Sequence, residues 1–414
     1  RAGIASLTNK PPAWTPAAAG VYWVTLQARD GAGLTQIQTF PIYVSDDRQL
    51  PADPTTRATP MSPTGFTPFA DHTAFLYQGA DPIQTGVQSG AIDPVTATVI
   101  RGQVLDSTGQ PLPGATVRIA GRPEYGQTRT RADGWYDLAA NGGGWVTVQI
   151  DKPGYMSAQR RFQAPWRDWA VAPEVVLLPF DPQYTRITAG ATQAQMYYGS
   201  TISDGRGDRR TSVYFPAGTQ ATAVLPDGRT QALTQMNVRV SEYTVGSRGP
   251  LSMPAELDLA IGYTWAANFT VDEAEVLGAK TVKFSKPVVA HIDNFINMPV
   301  GSAVPAGWYD FDKTAWVGDN NGRIVKLLSV DGQGLASLQV GTEERPATAA
   351  ELQALGIDED ELKLLARTRA VGAKLWRVRM EHFTPWDCNW PWGPPPDVEP
   401  PPSDPPPEPP PSDP

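Results

Sequence analysis

The chain has 414 residues, with 34 Lys and Arg against 43 Asp and Glu, for a formal net charge of −9. At about 150 residues per domain this length predicts roughly two to four domains, and the acidic balance argues against nucleic acid as a partner. Cys388 is the only cysteine, so no intramolecular disulfide and no cysteine-built zinc site can form.

Residues 1–45 read as the last hairpin of a partial β-sandwich. Tyr22, Val24, Leu26 and Ala28 alternate onto one face, a turn spans Asp30 to Gly33, and Ile37, Phe40, Ile42 and Val44 mark a second strand. Residues 46–94 are rich in Pro, Thr, Asp and Gly and read as a linker. Their one apolar patch, Phe75-Leu76-Tyr77, could dock on a neighbour. Residues 95–182 predict an antiparallel sandwich of short strands: VIRGQVL, ATVRIA, three within QTRTRADGWYDLAANGGGWVTVQI, and VVLLPF. They are separated by turns at DSTGQPLPG, Asp133-Gly134 and Gly142 to Gly144.

Residues 185–345 predict a larger β domain, with three strands in TSVYFPAGTQATAVLPDGRTQAL and further strands in MNVRVSEYT, YTWAANFTV, KTVKFSKPVVAHI and GRIVKLLSV. Residues 346–393 begin with a change of period. Thr348 and Glu351 form a capping box and Gly356 ends the first turn run, which predicts a short helical hairpin. A DNA-binding helix pair is the sharper alternative, but Glu351 and the acidic run Asp358 to Glu361 would face phosphates badly. KLWRVRMEHF predicts a closing strand, and the Trp/Pro motif TPWDCNWPW follows. Residues 394–414 contain Asp and Glu but no basic residue, and predict a disordered, acidic polyproline-II spacer. The fold class expected is therefore mainly β: tandem antiparallel β-sandwiches with a helical hairpin and a Pro-rich tail.

The chain begins at Arg1 and stops within a proline run, and is expected to be a segment of a longer protein. No apolar run approaches the roughly 20 residues that span a bilayer, so this segment is not expected to be membrane-spanning.

Three strings carry a resemblance. VIRGQVLDSTGQPLPGATVRI, TRTRADGWYDLAANGGGWVTVQI and YMSAQRRFQAPW resemble the transthyretin-related domain of teneurins and of bacterial YD-repeat (Rhs-type) proteins, within the carboxypeptidase regulatory-like superfamily. Residues 185–345 resemble the β-sandwich of netrin receptors, ankyrins and tight-junction scaffold proteins. GWYDFDKTAWV and the motif around TPWDCNWPWGPP resemble the segment preceding the repeat shell in Rhs-type proteins. Teneurins carry a plug-like domain there, so the resemblance points to the bacterial branch. The opening hairpin resembles immunoglobulin-like repeats of bacterial surface proteins.

This resemblance implies a non-catalytic structural or interaction array in a large secreted or cell-surface bacterial protein. It would space or cap a YD-repeat shell carrying a polymorphic toxin or an adhesion function. The implied partners are the downstream YD-repeat shell of the same chain and a cell-surface protein or glycan; no cofactor and no nucleic acid are implied. Two other classes stand beside it. One is a carbohydrate- or cell-wall-binding accessory module. The other is an enzyme, a carboxypeptidase or transthyretin-like hydrolase. The three histidines, His72, His291 and His382, open no zinc-hydrolase pattern, which argues against the second.

Several residues could carry chemistry. Trp386, Trp390 and Trp392 could stack on a sugar or peptide, or pack on the last β domain. Trp135, Trp145, Trp166 and Trp169 could line a sugar groove, with one or two in the core. Arg160, Arg161 and Arg167 could bind a polyanion, or guard an edge strand by charge. Asp319-Asn320-Asn321-Gly322 and Asp331-Gly332 suggest calcium, but lack a bidentate Glu and fit hairpin turns, so no metal is assigned. The sharpest idea is His382-Phe383-Thr384. Some relatives of the netrin-receptor sandwich cut themselves at His-Phe-Ser. Here His382 would be the base and Thr384 the nucleophile on the Phe383 carbonyl. Against it stand Pro385 and an expected place at a strand end rather than inside the sandwich.

Overall fold

The computed structural model describes residues 15–29, 31, 33, 35–44, 50–60, 64–258 and 261–391. The predicted Pro-rich tail and Trp392 lie outside them. Strands dominate, with five short helices among the described residues.

The opening hairpin pairs Gly20–Arg29 with Thr35–Val44, with Gly20 opposite Val44. The next unit is a sandwich. One sheet runs Val175–Val176, Ala97–Leu105 and Trp135–Asn141, with Trp169–Val171 also against Ala97–Leu105. The other runs Gln127–Arg129, Thr116–Ile119, Gly144–Asp151 and Ala158–Ala164. Alternate residues from both sheets meet in one core, including Val99, Leu138, Val117, Val148 and Ile150, all fully buried. The sandwich is not wholly antiparallel: Ala97–Leu105 pairs in parallel with Val175–Val176 and Trp169–Val171.

Residues 64–94 are more than the connector their composition predicts. Leu76, Ile83 and Ile92 enter the sandwich core, and a short helix spans Phe69–Thr73. The buried Gln84 amide donates to the carbonyls of Tyr125 (2.6 Å) and Ala139 (2.9 Å), and accepts from Ala139 N. One side chain thus satisfies backbone groups that a ladder would otherwise serve. No hydrophobic period announces this, because the segment is irregular.

The larger β domain stacks two sheets. One has the order Thr185–Thr188, Gln235–Glu242, Ala266–Val271, Pro385–Asp387, Gly307–Asp310, Ala315–Gly318. The other runs Gln195–Asp204, Gly207–Phe215, Thr281–Asp293, Lys374–Phe383, Gly322–Val330, Ala303–Val304, with further short strands attached. Strands from the segment read as a closing motif, Lys374–Phe383 and Pro385–Asp387, are therefore central in both sheets. The core between the sheets includes Tyr197, Phe215, Trp265, Trp376, Phe383 and Trp386.

Helices Ala349–Leu355 and Glu359–Thr368 fill the predicted hairpin. The first has the Thr348–Glu351 capping box and ends at Gly356 in the left-handed region, φ 64°. Leu365 and Ile357 bury against Val325, Leu327 and Leu375 of the sheet. Beneath the second helix lies a buried ionic triad. His291 Nε2 is 2.8 Å from Glu361 Oε1, and Arg377 Nε and Nη2 donate to the two Glu361 oxygens at 2.7 and 2.8 Å.

The units interlock. Met156, Tyr243, Met253 and Ala266 form a shared buried cluster with Leu178, Phe180 and Trp316 around it. Arg160, 2% exposed, reaches out of the sandwich to the carbonyls of Leu251 (2.6 Å) and Met253 (3.1 Å). The hairpin is tied in by Asn237 Nδ2 donating to Thr39 O (2.8 Å) and by Tyr43 edge-on to Phe180.

Candidate functional site at the sheet crossover

Lys374–Phe383 lies between Thr281–Asp293 and Gly322–Val330 in one sheet. Two residues on, Pro385–Asp387 lies between Ala266–Val271 and Gly307–Asp310 in the other. Thr384 is where the chain passes from sheet to sheet. The Phe383–Thr384 bond is thus inside the sandwich, not at its rim: Phe383 is 2% exposed and packs with Phe215, Phe269 and Phe284. The sequence expectation of a peripheral strand end is corrected on this point. The cause is that the last strand folds back between two earlier ones, a pairing invisible to local pattern.

Around that bond, His382 Nδ1 lies 3.5 Å from Thr384 Oγ1, the outer limit of a hydrogen bond. The imidazole is held edge-on to Trp308, with ring centres 4.6 Å apart, and tilted against Trp386. Burial lowers the His382 pKa, favouring the neutral ring that could accept a proton. The Phe383 carbonyl accepts a hydrogen bond from the Thr281 hydroxyl at 3.0 Å. The Thr384 carbonyl accepts from Phe269 N at 3.3 Å. An imidazole, a hydroxyl and a hydrogen-bond donor to the carbonyl oxygen therefore lie around this one peptide bond. Thr281 and Trp308 had no signal in sequence, because their relation to His382 is created only by long-range pairing.

The proposed aromatic platform divides. Trp386 is 1% exposed and its indole donates to His382 O at 3.2 Å, so it offers no face to a ligand. Trp390 is half-buried and edge-on to Trp376, with centres 4.8 Å apart. Trp392 falls outside the described residues. The Asp-Cys-Asn run between them acts as a clasp. Asn389 Oδ1 accepts from Thr264 N (2.8 Å) and Trp265 N (3.0 Å), and its Nδ2 donates to Asp387 (2.8 Å). Burial pushes Asp387 up to about 6, against the pull of the Asn389 hydrogen bond. Burial also pushes the Cys388 thiol well up, which suppresses its thiolate chemistry.

The acidic turns use their carboxylates internally. Asp331 Oδ1 accepts from Gln333 N and Leu335 N, both at 2.9 Å, and Asp319 accepts from Asn320 N. Among the described residues no group of three or more His, Cys, Asp or Glu is placed to hold a metal ion. No described helix is long and apolar enough to cross a membrane. Of the remaining candidates, Trp135 is half-buried, whereas Trp145, Trp166 and Trp169 are exposed. Arg160 is buried in the seam while Arg161 is exposed, so neighbours in one strand have separate fates.

Residues 92–177, which make up most of this sandwich, match the family described as the Teneurin TTR-like domain. Mouse Teneurin-1 is 32% identical over 161 residues, covering 36% of this chain and 6% of that protein. Teneurin-m of Drosophila melanogaster is 41% identical over 81 residues, covering 20% of this chain and 3% of that one. The chain is thus teneurin-like through a TTR-like domain, and spans only a small fraction of these relatives' length. A hydroxyquinol 1,2-dioxygenase from Pseudomonas putida superposes with TM-score 0.18 at 13% identity, over 23% of this chain and 60% of that one. A likeness that low carries no argument about chemistry.

Proposed function

We propose that this chain is a non-catalytic structural and interaction unit of a large secreted or cell-surface YD-repeat protein, of the bacterial Rhs/teneurin-like type. It spaces or caps the repeat shell that carries a toxin or adhesion function. The observation that carries this reading is the buried seam. A teneurin-like TTR domain is fixed to the larger β domain through Arg160 and the Met156–Tyr243–Met253 cluster, as a rigid spacer requires. The test is titration of the purified chain against the YD-repeat shell of its parent, made separately. A saturable one-to-one complex is expected; no complex at any concentration reached would sink the reading.

The residues gathered at the crossover raise a second reading, self-cleavage. Thr384 Oγ1 would add to the Phe383 carbonyl carbon while His382 Nδ1 takes its proton, with the Thr281 hydroxyl on the carbonyl oxygen. Collapse would break the Phe383–Thr384 C–N bond, with the proton delivered to the departing Thr384 nitrogen. Water would then hydrolyse the ester. Because 3.5 Å is at the limit of contact, we expect intact-mass spectrometry to show a single species near 44.7 kDa. Two fragments meeting at Phe383–Thr384, summing to the chain plus one water and absent from Thr384→Ala, would establish cleavage instead.

A further inference from the structure

The outer face of one sandwich sheet holds an arrangement that packing does not explain. Gly144–Asp151 pairs with Ala158–Ala164 so that Trp145 is opposite Gln163, and Thr147 is opposite Arg161. These side chains point away from the core, since the intervening Val146, Val148 and Ile150 point into it. Trp145 is 61% exposed. The Arg161 guanidinium lies over its ring, 5.1 Å from the centroid, which fixes the cation and leaves the opposite indole face open. Among the described residues Arg161 has no carboxylate within ion-pair distance, whereas Arg118 on the same face is matched with Asp151 at 2.9 Å. In a chain of net charge −9, this is a cation held in place without a counter-charge.

The strip beside it is fixed as well. The Tyr309 hydroxyl donates to Gln159 Oε1, Gln159 Nε2 to Gln149 Oε1, and Gln149 Nε2 to Asp151 Oδ1, at 2.6, 2.8 and 3.0 Å. At the end of the sheet next to Trp145, a second exposed indole, Trp166, lies on the Gly142–Gly143 turn. Its N–H donates to Gly142 O at 3.1 Å. Gly143, at φ 92°, is held to glycine there, because a Cβ would collide with that ring.

We propose that this face binds an acidic glycan, a uronic-acid oligosaccharide, with one pyranose on the open face of Trp145 and its carboxylate on Arg161. The chemistry fits each part. A pyranose presents an apolar C–H face to an indole. A carboxylate matches the fork of a guanidinium. Beside the indole, exposed Gln163 and half-buried Thr147 and Gln149 offer amide and hydroxyl groups to ring hydroxyls, while Gln159 and Tyr309 are buried and only hold Gln149 in place. A peptide would instead want an apolar groove or a free strand edge, and the only large apolar surface on this strip is indole.

The test is isothermal titration of the whole chain with hexagalacturonate, beside neutral chitohexaose and hexaglutamate. We expect hexagalacturonate to bind at least tenfold tighter than either, and Trp145→Ala or Arg161→Gln each to weaken it at least tenfold with the melting temperature unchanged. No binding of hexagalacturonate in the millimolar range would overturn the proposal. So would equal binding of chitohexaose, or affinity indifferent to both substitutions. Equal binding of hexaglutamate would overturn it in favour of an acidic protein partner. If Trp145→Ala lowers the melting temperature, Arg161→Gln decides alone.

Discussion

Glu361→Gln should destabilise the protein by about 3–5 kcal/mol, the usual effect of removing one member of a buried ion pair. Glu361 is fully buried and sits between His291 and Arg377, which are themselves 0% and 2% exposed. The substitution keeps the volume and removes the charge, so Arg377 is left buried without its counter-ion. Arg377 also donates to the carbonyls of Leu355 (2.8 Å) and Gly356 (3.2 Å), so both helices would loosen from the sheet together. Urea unfolding followed by Trp fluorescence reads the loss. A change below about 1 kcal/mol would show that the triad contributes only as much as a surface pair.

The same triad sets a pH dependence. Burial alone would raise the Glu361 pKa, but the Arg377 charge and the hydrogen bonds from Arg377 and His291 outweigh it and bring it down to about 2. A carboxylate depressed in the folded state stabilises it above its ordinary value of 4.5, and that stability is lost as pH falls towards the folded value. Burial lowers the His291 pKa below its ordinary 6.5, which acts in the same direction. Stability should therefore fall through the acid range, with a shallower slope in Glu361→Gln.

The local grammar of the chain was legible, and its long-range pairings were not. VIRGQVL became a strand because its alternation and its flanking turn residues agree, and it occupies most of Ala97–Leu105. The Thr348–Glu351 spacing became a capping box because both hydrogen bonds are made within one turn. In contrast, Leu76 and Gln84 serve the sandwich core without any period to mark them. Thr281 meets the Phe383 carbonyl only because Val282 pairs with Phe383. The tryptophans show the same divide. Trp386 can be read from sequence either as a platform or as packing on the last β domain, and it closes the core between two sheets. The indole left open is Trp145, on a strand face whose outward parity could be read but whose neighbours could not. The edge strand read around Arg160 and Arg161 lies within Ala158–Ala164, at the edge of its sheet. What sequence missed was that Arg160, on the core-facing parity opposite Val148, leaves the sandwich altogether.

Arg160→Ala is accordingly expected to open the seam between the two β units. The guanidinium satisfies the carbonyls of Gln159 (2.7 Å), Leu251 (2.6 Å) and Met253 (3.1 Å) in a site that excludes water. Burial lowers its pKa to about 10, so it remains charged at neutral pH. Truncation leaves those carbonyls without a donor and a void where the side chain crosses to Leu251 and Met253. Together these cost about 3 kcal/mol. Gln159 N still donates to Pro254 O at 2.7 Å, so the backbone joint persists while its side-chain lock is lost. Hydrogen exchange at residues 251–253 should rise by two orders of magnitude or more, since about 1.4 kcal/mol is a factor of ten. Arg160→Met should recover the packing but not the exchange protection, which separates filling of the void from hydrogen bonding. Unfolding should also split from one transition into two, as the sandwich and the larger domain lose their shared boundary. If exchange at 251–253 is unchanged in Arg160→Ala, the units are held by the apolar cluster alone. A spacer whose rigidity depends on this arginine would then have to be abandoned.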